Sequence, residues 1–479
     1  MKLNGGYEEN TLIMDRLFRN NPTVKSREIR TVSGIRCRIY FGDGLVATNL
    51  IRDGIIAPVM GFDGKMIQGR ELDIFALSVI QLPEVQKSSD TVEMEAAVAY
   101  GDALLFVEGA QEGLIIGCKG FSFRSLQEPE EEKVSQGPRE GFVEPVMINI
   151  SMLKRRLRTS RLKIEVFSLG GSTRTTCCLC YLEGTAPEDL VSLMRQRISK
   201  IRIDGVLSSN YVCEMIDPSL PGLFRRVGTT ARPDVASAAL LEGRVAILLD
   251  GCPQALTAPF VFIENFQSPE DYYVPYHQAV FARALRLFAF FAAISLVPVY
   301  IAVLSYHPGT LSTKMMINIA MMQEATPFSA VGQALLFLLS FDLLREAGLR
   351  TPSSIGQSLS IVGALILGQS AVEANIVSPS MVIIVALSGV TGLAASKLKN
   401  QIIILRFTLL LFSQLAGLWG FVMGLSLITG RLAVMESFGV DYLSSMPFIS
   451  QGSHEDSLMR KPFSFMKKYG RFISKRRGG

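Results

Sequence analysis

The apolar residues of this 479-residue chain are distributed unevenly, and that asymmetry constrains the fold more than any motif. About 280 residues of mixed, polar composition come first. From Ala284 to Thr429 the apolar runs are then too long and too dense for a soluble core. Ala284–Tyr306, Ile355–Val372, Met381–Ala395 and Ile402–Ile428 carry almost no charge, Arg286 and Arg406 near segment starts being the exceptions. A helix needs roughly 20 apolar residues to cross the ~30 Å hydrocarbon layer of a bilayer. The chain therefore reads as a large soluble region joined to a membrane bundle, and what it does must involve that membrane.

At roughly 150 residues per domain the length allows two or three domains. The N-terminal run MKLNGGYEENTLIMDRLFRNN has no basic stretch leading into an apolar one, so no cleaved signal peptide is expected. The first long apolar run is then the first insertion signal, and the residues before it stay cytoplasmic. All seven cysteines precede the membrane part and suit a reducing compartment. Cys177 and Cys180 form a CxxC spacing, but they lie in a strand-like run with no second pair and no nearby histidine, so buried thiols are expected rather than a zinc or redox site. The net charge of +5 concentrates in the tail, where Arg460, Lys461, Lys467, Lys468, Arg471, Lys475, Arg476 and Arg477 interleave with aromatic residues. Such a stretch suits an anionic membrane surface or is a solvated tail. Nothing else on the chain points to nucleic acid.

The expected fold class is an α/β cytoplasmic region of two subdomains followed by an all-α polytopic membrane bundle of about five to six segments. The boundaries read as 1–126 for the first subdomain, 127–137 for an acidic linker, 138–276 for the second subdomain, 277–430 for the bundle and 431–479 for the basic tail. In the first subdomain Ile35–Phe41 alternates like a strand. Asn49–Met60 and Leu72–Ile80 read as helices, and Ala103–Val107 with Gly113–Gly117 as a hairpin. In the second, Val146–Thr159, Pro187–Ile203 and Val235–Glu242 read as helices, Ile164–Ser168, Thr175–Leu182 and Val245–Leu249 as strands. Gln267–Tyr276 is an aromatic, proline-broken approach to the membrane, where tyrosine rings favour the interface.

Five apolar segments are legible: 284–306, 327–344, 355–372, 379–396 and 402–428. Arg345 and Arg350 follow the second, Lys397 and Lys399 the fourth, and both clusters belong inside by the positive-inside rule. Five crossings would put the basic tail outside, against the same rule. One segment is therefore not a simple span, the choices being 402–428, broken by Gly417, Gly420 and Gly424, and the short 310–326 piece before Pro327. Gln333, Asp342, Gln357, Gln369 and Gln414 are the costly polar residues inside the bundle. Asp342, Arg345 and Glu346 suggest a local ion pair at a helix end, and Pro298 a kink in the first span.

Catalytic parts are scarce. His277, His307 and His454 stand apart from cysteines, carboxylate clusters and each other. Gly42-Asp43-Gly44 and Gly170-Gly171-Ser172-Thr173 lack the spacing of a phosphate-binding loop and read as ordinary turns. No enzyme activity, cofactor or metal site is expected.

The informative constellation is the third apolar segment. Gly356, Ser360, Ala364 and Gly368 fall every four residues on one stripe, where small side chains let helices approach closely. About half a turn away lie Ser358, Val362, Leu365, Gln369 and Glu373, a face with polar ends and an apolar middle. A pore-lining helix with a hydrophobic constriction presents such a face, because apolar rings gate by dewetting. The plain alternative is that Val362 and Leu365 pack against a neighbour while Ser358 and Glu373 sit at the two interfaces.

Several longer runs resemble one family. Gly137-Pro138-Arg139-Glu140-Gly141-Phe142, Arg232-Pro233-Asp234, Leu240–Ile247 with Asp250-Gly251, Gln267–Tyr273, Leu343–Gly348 and Ser360–Leu365 look like hallmarks of the A subunits of GerA-type spore germination receptors. The resemblance runs from about Asn10 to Tyr442. It implies a protein of the spore inner membrane with a cytoplasmic N-terminal domain, a transporter-like B subunit and a lipoprotein C subunit as partners, and assembly of A subunits into a ring-shaped, nutrient-gated channel for monovalent cations. Val362 and Leu365 would then form its constriction. The chain departs from the family pattern where acidic residues are common, at Gln333 and Leu338, and also at Val227–Ala231 and the cysteine-rich strand. Two other classes stay open: a structural scaffold of the receptor cluster, and a secondary transporter, for which no internal repeat is visible.

Overall fold

The computed structural model describes residues 3, 5–19, 21–64, 71–120, 129, 132–217, 222–350, 363, 366–444, 456, 459, 460 and 462. The chain divides into two compact units: Met1–Phe260 together with Ser437–Val440, and Val261–Glu436 together with Asp441–Phe463.

The first unit holds two five-stranded antiparallel sheets among its described residues. The first sheet contains β1 (Val24–Arg30), β2 (Arg36–Gly42), β3 (Val85–Ser88), β4 (Ala103–Val107) and β5 (Gly113–Ile116), in the order β1-β2-β4-β5-β3. Period-2 alternation sends Cys37, Ile39 and Leu105 to one face, against the helical runs 48–60 and 71–79, each of which contains a π turn. Tyr40, Leu104 and Phe106 go to the other face, against α1 (Tyr7–Leu17) and α2 (Thr91–Tyr100). Both faces are covered, which is why Ala103–Val107 is an unbroken apolar run, buried throughout. The start of α2 is set by Asp90, whose Oδ1 accepts the Val92 amide at 3.1 Å.

The second sheet contains β6 (Leu162–Leu169), β7 (Thr175–Leu182), β8 (Gly228–Thr230), β9 (Val245–Leu249) and β10 (Ala255–Ala258), in the order β6-β7-β9-β10-β8. It lies between α3 (Val146–Arg156) and α6 (Pro233–Leu241) on one face and α4 (Glu188–Ser199) and α5 (Ser209–Ile216) on the other. The cysteine strand splits between these cores. Cys177 joins Val191, Ile247 and Leu249, whereas Cys178 and Cys180 join Leu153, Ala236 and Leu248. Residues three apart on a strand point to opposite faces, so the CxxC pair cannot chelate one ion. Burial pushes the Cys177 and Cys178 thiols up to about 12, the state of inert core residues.

The second unit is helical. It opens with two 3-10 turns, Phe262–Phe266 and Pro269–Tyr272. These lead into α7 (Tyr276–Tyr306), α8 (Thr313–Glu324), α9 (Ala330–Arg350), a helical stretch at 366–373, α10 (Pro379–Ala394) and α11 (Lys399–Val434). Among the described residues two helical stretches, Tyr276–Tyr306 and Ser396–Val434, are long and apolar enough to cross a membrane, with hydropathies of 2.5 and 1.8. Pro298 lies buried inside α7, whose helix runs on through it.

α11 is not straight. Ala416 (φ −142°, ψ 22°) and Gly417 (φ 59°, ψ −138°) leave the helical region. Gly417 takes a left-handed φ that side chains oppose, with the Tyr306 ring against it. A Cβ built on Gly420 would stand 1.9 Å from the Phe412 carbonyl oxygen, and one on Gly424 3.1 Å from Leu409 Cδ2. Eight residues along a straight helix span about 12 Å. The arms 399–415 and 418–434 therefore fold back on each other as an antiparallel hairpin. The apolar run 402–428 is two helices, as its glycines suggested.

Candidate functional site

The signature runs of the first unit converge in the second subdomain. Arg232 is fully buried. It donates to both Asp234 carboxylate oxygens at 3.1 and 2.8 Å, to the Pro138 carbonyl at 2.8 Å and to the Glu132 carbonyl at 3.4 Å. The Glu132 carboxylate in turn accepts from Thr230 Oγ1 at 2.7 Å and the Ala231 amide at 2.9 Å. Glu140 pairs with Arg155 and, at 2.8 Å, with Arg156 on α3. Asp250 accepts the Val146 amide at 3.0 Å, where α3 begins. Residues 132–142 are thus pinned to β8, α6 and α3, and the cluster is a structural lock. The glycine turns are equally closed. The amides of Gly171 and Ser172 go to the Ile203 and Asp204 carbonyls, and that of Asp43 to Thr23, so neither turn offers an anion nest.

A charged collar surrounds the start of α7. Asp271, nearly inaccessible, accepts from the Ser268 amide at 3.0 Å, Arg283 Nε at 3.0 Å and Arg286 Nη2 at 2.8 Å. Burial pushes its carboxyl up, but Arg286, the Ser268 amide and Arg283 outweigh it and hold the group below the ordinary range. Arg283 also donates through Nη1 to Asp456 Oδ1 at 2.7 Å. Asp456 belongs to the tail, and it accepts further from Tyr272 OH at 2.6 Å and, through its carbonyl, from Gln267 Nε2 at 3.1 Å. An aromatic layer of Phe262, Phe266, Phe290 and Tyr442 lies beside this network, with ring centroids 5.3–6.1 Å apart. Tyr442, also from the tail, accepts the Phe262 amide at 3.0 Å.

The bundle is cross-linked by polar groups. Arg406 on α11 donates to Asp342 on α9 at 2.7 Å and to Ser388 Oγ on α10 at 3.4 Å. Ser388 donates to the Ala293 carbonyl on α7 at 2.8 Å. One chain of contacts thus joins all four helices. Beyond the local ion pair expected of Asp342, Arg345 and Glu346, the hydrogen-bonded partner of Asp342 is Arg406, 64 positions along the chain. Gln333 is fully buried. Its Nε2 donates to Thr326 Oγ1 at 2.7 Å and to the Phe328 carbonyl at 2.9 Å, and its Oε1 accepts the Ser378 amide at 3.0 Å. A glutamate could not donate to that carbonyl, so glutamine suits the site. Leu338 is buried in the apolar core of the bundle. A cleft of about 320 Å³ opens between α8 and the 372–379 turn, lined by Met321, Met322, Asn318 and Asn375 among others. At the far end of α7, Tyr306 OH donates to the Gln414 carbonyl at 2.6 Å, which satisfies an acceptor freed by the α11 turn.

Of the face singled out on the third segment, Ser358, Val362 and Leu365 lie outside the described residues, as do Gly356, Ser360 and Ala364 of the small-residue stripe. Gly368 is buried, its Cβ position 3.7 Å from Val382 and 3.8 Å from Phe337. Gln369 and Glu373 are exposed on the outside of the bundle, and Gln369 Nε2 donates to Glu373 Oε1 at 2.9 Å. Among the described residues no group of histidines, cysteines and carboxylates could hold a metal ion.

The family model described as Bacillus/Clostridium GerA spore germination protein matches residues 13–472. The chain belongs to that GerA family. Its GerA relatives include spore germination protein KA of Bacillus subtilis (strain 168), 36% identical over 455 residues, which cover 94% of this chain and 83% of the relative. Spore germination protein A1 of the same organism is 29% identical over 460 residues, 95% of this chain and 94% of its own length. A membrane protein of that organism, YfkQ, is 35% identical over 432 residues, 90% of this chain and 84% of the relative. Among solved structures, the N-terminal domain of the A subunit of the Bacillus megaterium spore germinant receptor GerK3 is similar over 55% of this chain and 98% of that domain, at 26% identity and a TM-score of 0.44. Of the runs named at the outset, 137–142 and 232–234 meet in the lock around Arg232, and 267–273 forms part of the collar around Asp271.

Proposed function

We propose that this chain is the A-type membrane subunit of a nutrient-sensing spore germination receptor, and that copies of it form a ring enclosing a nutrient-gated cation path. Membership of the GerA family, with spore germination proteins KA and A1 among the relatives, supports the receptor assignment. The observation that carries the channel reading is the placement of Gln369 and Glu373. Gly368 and Ala371 of the same helical stretch pack inward, while the two polar side chains face away from the bundle. A carboxylate and an amide on the outer wall of an apolar bundle are costly against lipid. Facing the water-filled axis of a ring they are solvated, and the face that continues through Leu365, Val362 and Ser358 would then line the path. A bundle with so few polar positions cannot by itself enclose such an axis, which is why the reading requires an oligomer.

The hairpin supports a membrane arrangement of six crossings. With the N-terminal unit cytoplasmic, α7 runs outward, α9 returns, the third segment and α10 form the next pair, and the two arms of α11 make crossings five and six. Lys397 and Lys399 then fall inside, and the tail after Val434 returns to the cytoplasmic side, in accord with the positive-inside rule. A transporter-like B subunit that binds the nutrient and a lipoprotein C subunit complete the receptor in the spore inner membrane, and nutrient binding shifts the ring toward its open state. The test is cation flux from membranes reconstituted with the three subunits. Nutrient-triggered flux that disappears when this chain is left out supports the reading, and unchanged flux without it refutes it.

A further inference from the structure

The two subdomains of the N-terminal unit meet over a buried lysine. Lys154 lies in the last turn of α3, 3% exposed, and reaches out of its own subdomain to donate to Thr23 Oγ1 at the start of the first sheet. Thr23 Oγ1 is itself committed as a donor to Asn21 Oδ1 at 2.8 Å. That hydroxyl is the acceptor Lys154 has among the described residues. An ammonium group carries three donors and needs three acceptors, whereas a neutral amine tolerates one contact in a dry site. The neighbouring Lys163 differs: it is set between the Leu17 and Arg19 carbonyls at 3.4 Å and the Glu183 carboxylate at 3.3 Å. Arg155 and Arg156 on α3 are occupied by Glu140, and Glu95 on α2 accepts the Ser160 amide at 2.6 Å.

We propose that Lys154 is a proton-operated latch between the two cytoplasmic subdomains, closed while its amine is neutral and loosened when it takes up a proton. The surroundings fit this role. Burial lowers its pKa to about 8, against the smaller opposing influence of Cys180 on β7 and Asp43 after β2. Cys180 is fully enclosed, and burial raises its thiol well above the ordinary range, so it does not titrate in the same window. In the opened junction the lysine regains its ordinary value of 10.5. Between about pH 8 and 10.5 opening therefore takes up a proton, so the closed junction gains stability as pH rises and loses it as pH falls, reaching a floor below about 8. The proposal concerns the soluble unit alone and stands apart from the channel reading.

Hydrogen exchange of the full chain in detergent, corrected for the intrinsic pH dependence of amides, reads the opening at residues 21–25 and 150–156. Wild type is expected to open about tenfold more per unit of falling pH between pH 10 and 8. Lys154→Met, which fills the same volume without a charge, is expected to be flat across that range and more protected at pH 7.5. Lys154→Gln is the second variant should the methionine chain accumulate poorly, and it too is expected to be flat. A wild-type profile without slope, or a slope that survives both substitutions, overturns the proposal.

Discussion

Gly420 lies where the Phe412 carbonyl oxygen leaves room for no side chain, a Cβ there coming within 1.9 Å of it. The obstacle is backbone, which cannot swing aside, so even alanine forces the α11 arms apart. Gly420→Ala is expected to cut the amount of chain in membranes by about tenfold, since overpacking by one group already costs about 1–3 kcal/mol when side chains can adjust. Gly430→Ala, where a Cβ meets nothing within 4 Å, is the control and is expected to behave as wild type. In the six-crossing arrangement proposed above, the same hairpin returns the tail to the cytoplasmic side. A cysteine replacing Ser444 should resist a membrane-impermeant thiol reagent in intact cells and react once the membrane is opened, and labelling from outside would refute the six-crossing arrangement.

The collar at the start of α7 should depend on its tail residue. Arg283 is 1% exposed and is shared between Asp271 and Asp456. Removing one partner of a buried pair leaves a charge uncompensated, at a cost of about 3–5 kcal/mol. Asp456→Asn is therefore expected to lower the thermal transition of the membrane unit and to speed trypsin cleavage at Arg460, itself buried and bonded to the Val274 carbonyl at 3.2 Å. Asp271 adds a pH signature. Its folded pKa is depressed below the ordinary 3.8, so its contribution is complete above about pH 5 and is lost as pH falls through and below 3.8. Acid titration of the collar followed by tail proteolysis should show release only in that low range.

The Arg406–Asp342 pair is a cross-link between α11 and α9, with Arg406 3% exposed and Asp342 15%. Asp342→Leu and Arg406→Met alone are each expected to destabilise the bundle by about 3–5 kcal/mol, while the two together should recover most of that loss. A double-mutant cycle on detergent melting temperatures measures the coupling. Additive single effects would mean that the two side chains do not act as a pair.

These cases show which parts of the fold a sequence carries openly. Local patterns were legible: the alternation of Ile35–Phe41, the cysteine strand Thr175–Leu182, the helix–strand succession of the second subdomain and the apolar runs of the bundle all depend on neighbours within a few positions. The break in 402–428 was legible because Gly417, Gly420 and Gly424 mark close backbone approach. Contacts between distant residues were not. Asp342 looked paired within its own helix because Arg345 is three residues away, whereas Arg406 is 64 away. Asp456 carried no local signal, since its meaning depends on Tyr272 and Arg283, 184 and 173 positions earlier. The signal that could have exposed both networks is an arginine retained at the head of an apolar run, which requires a buried carboxylate from somewhere in the chain.

The central claim is that the face continuing from Glu373 through Gln369 to Val362 lines a gated cation path. The most direct measurement is nutrient-free cation leak from membranes carrying the receptor with Val362→Ser, beside wild type at equal amount. A hydroxyl in the constriction wets it, so the account predicts a constitutive leak at least tenfold above wild type, with nutrient adding little further flux. A receptor that still responds to nutrient and shows no added leak would contradict it and place the path on another face.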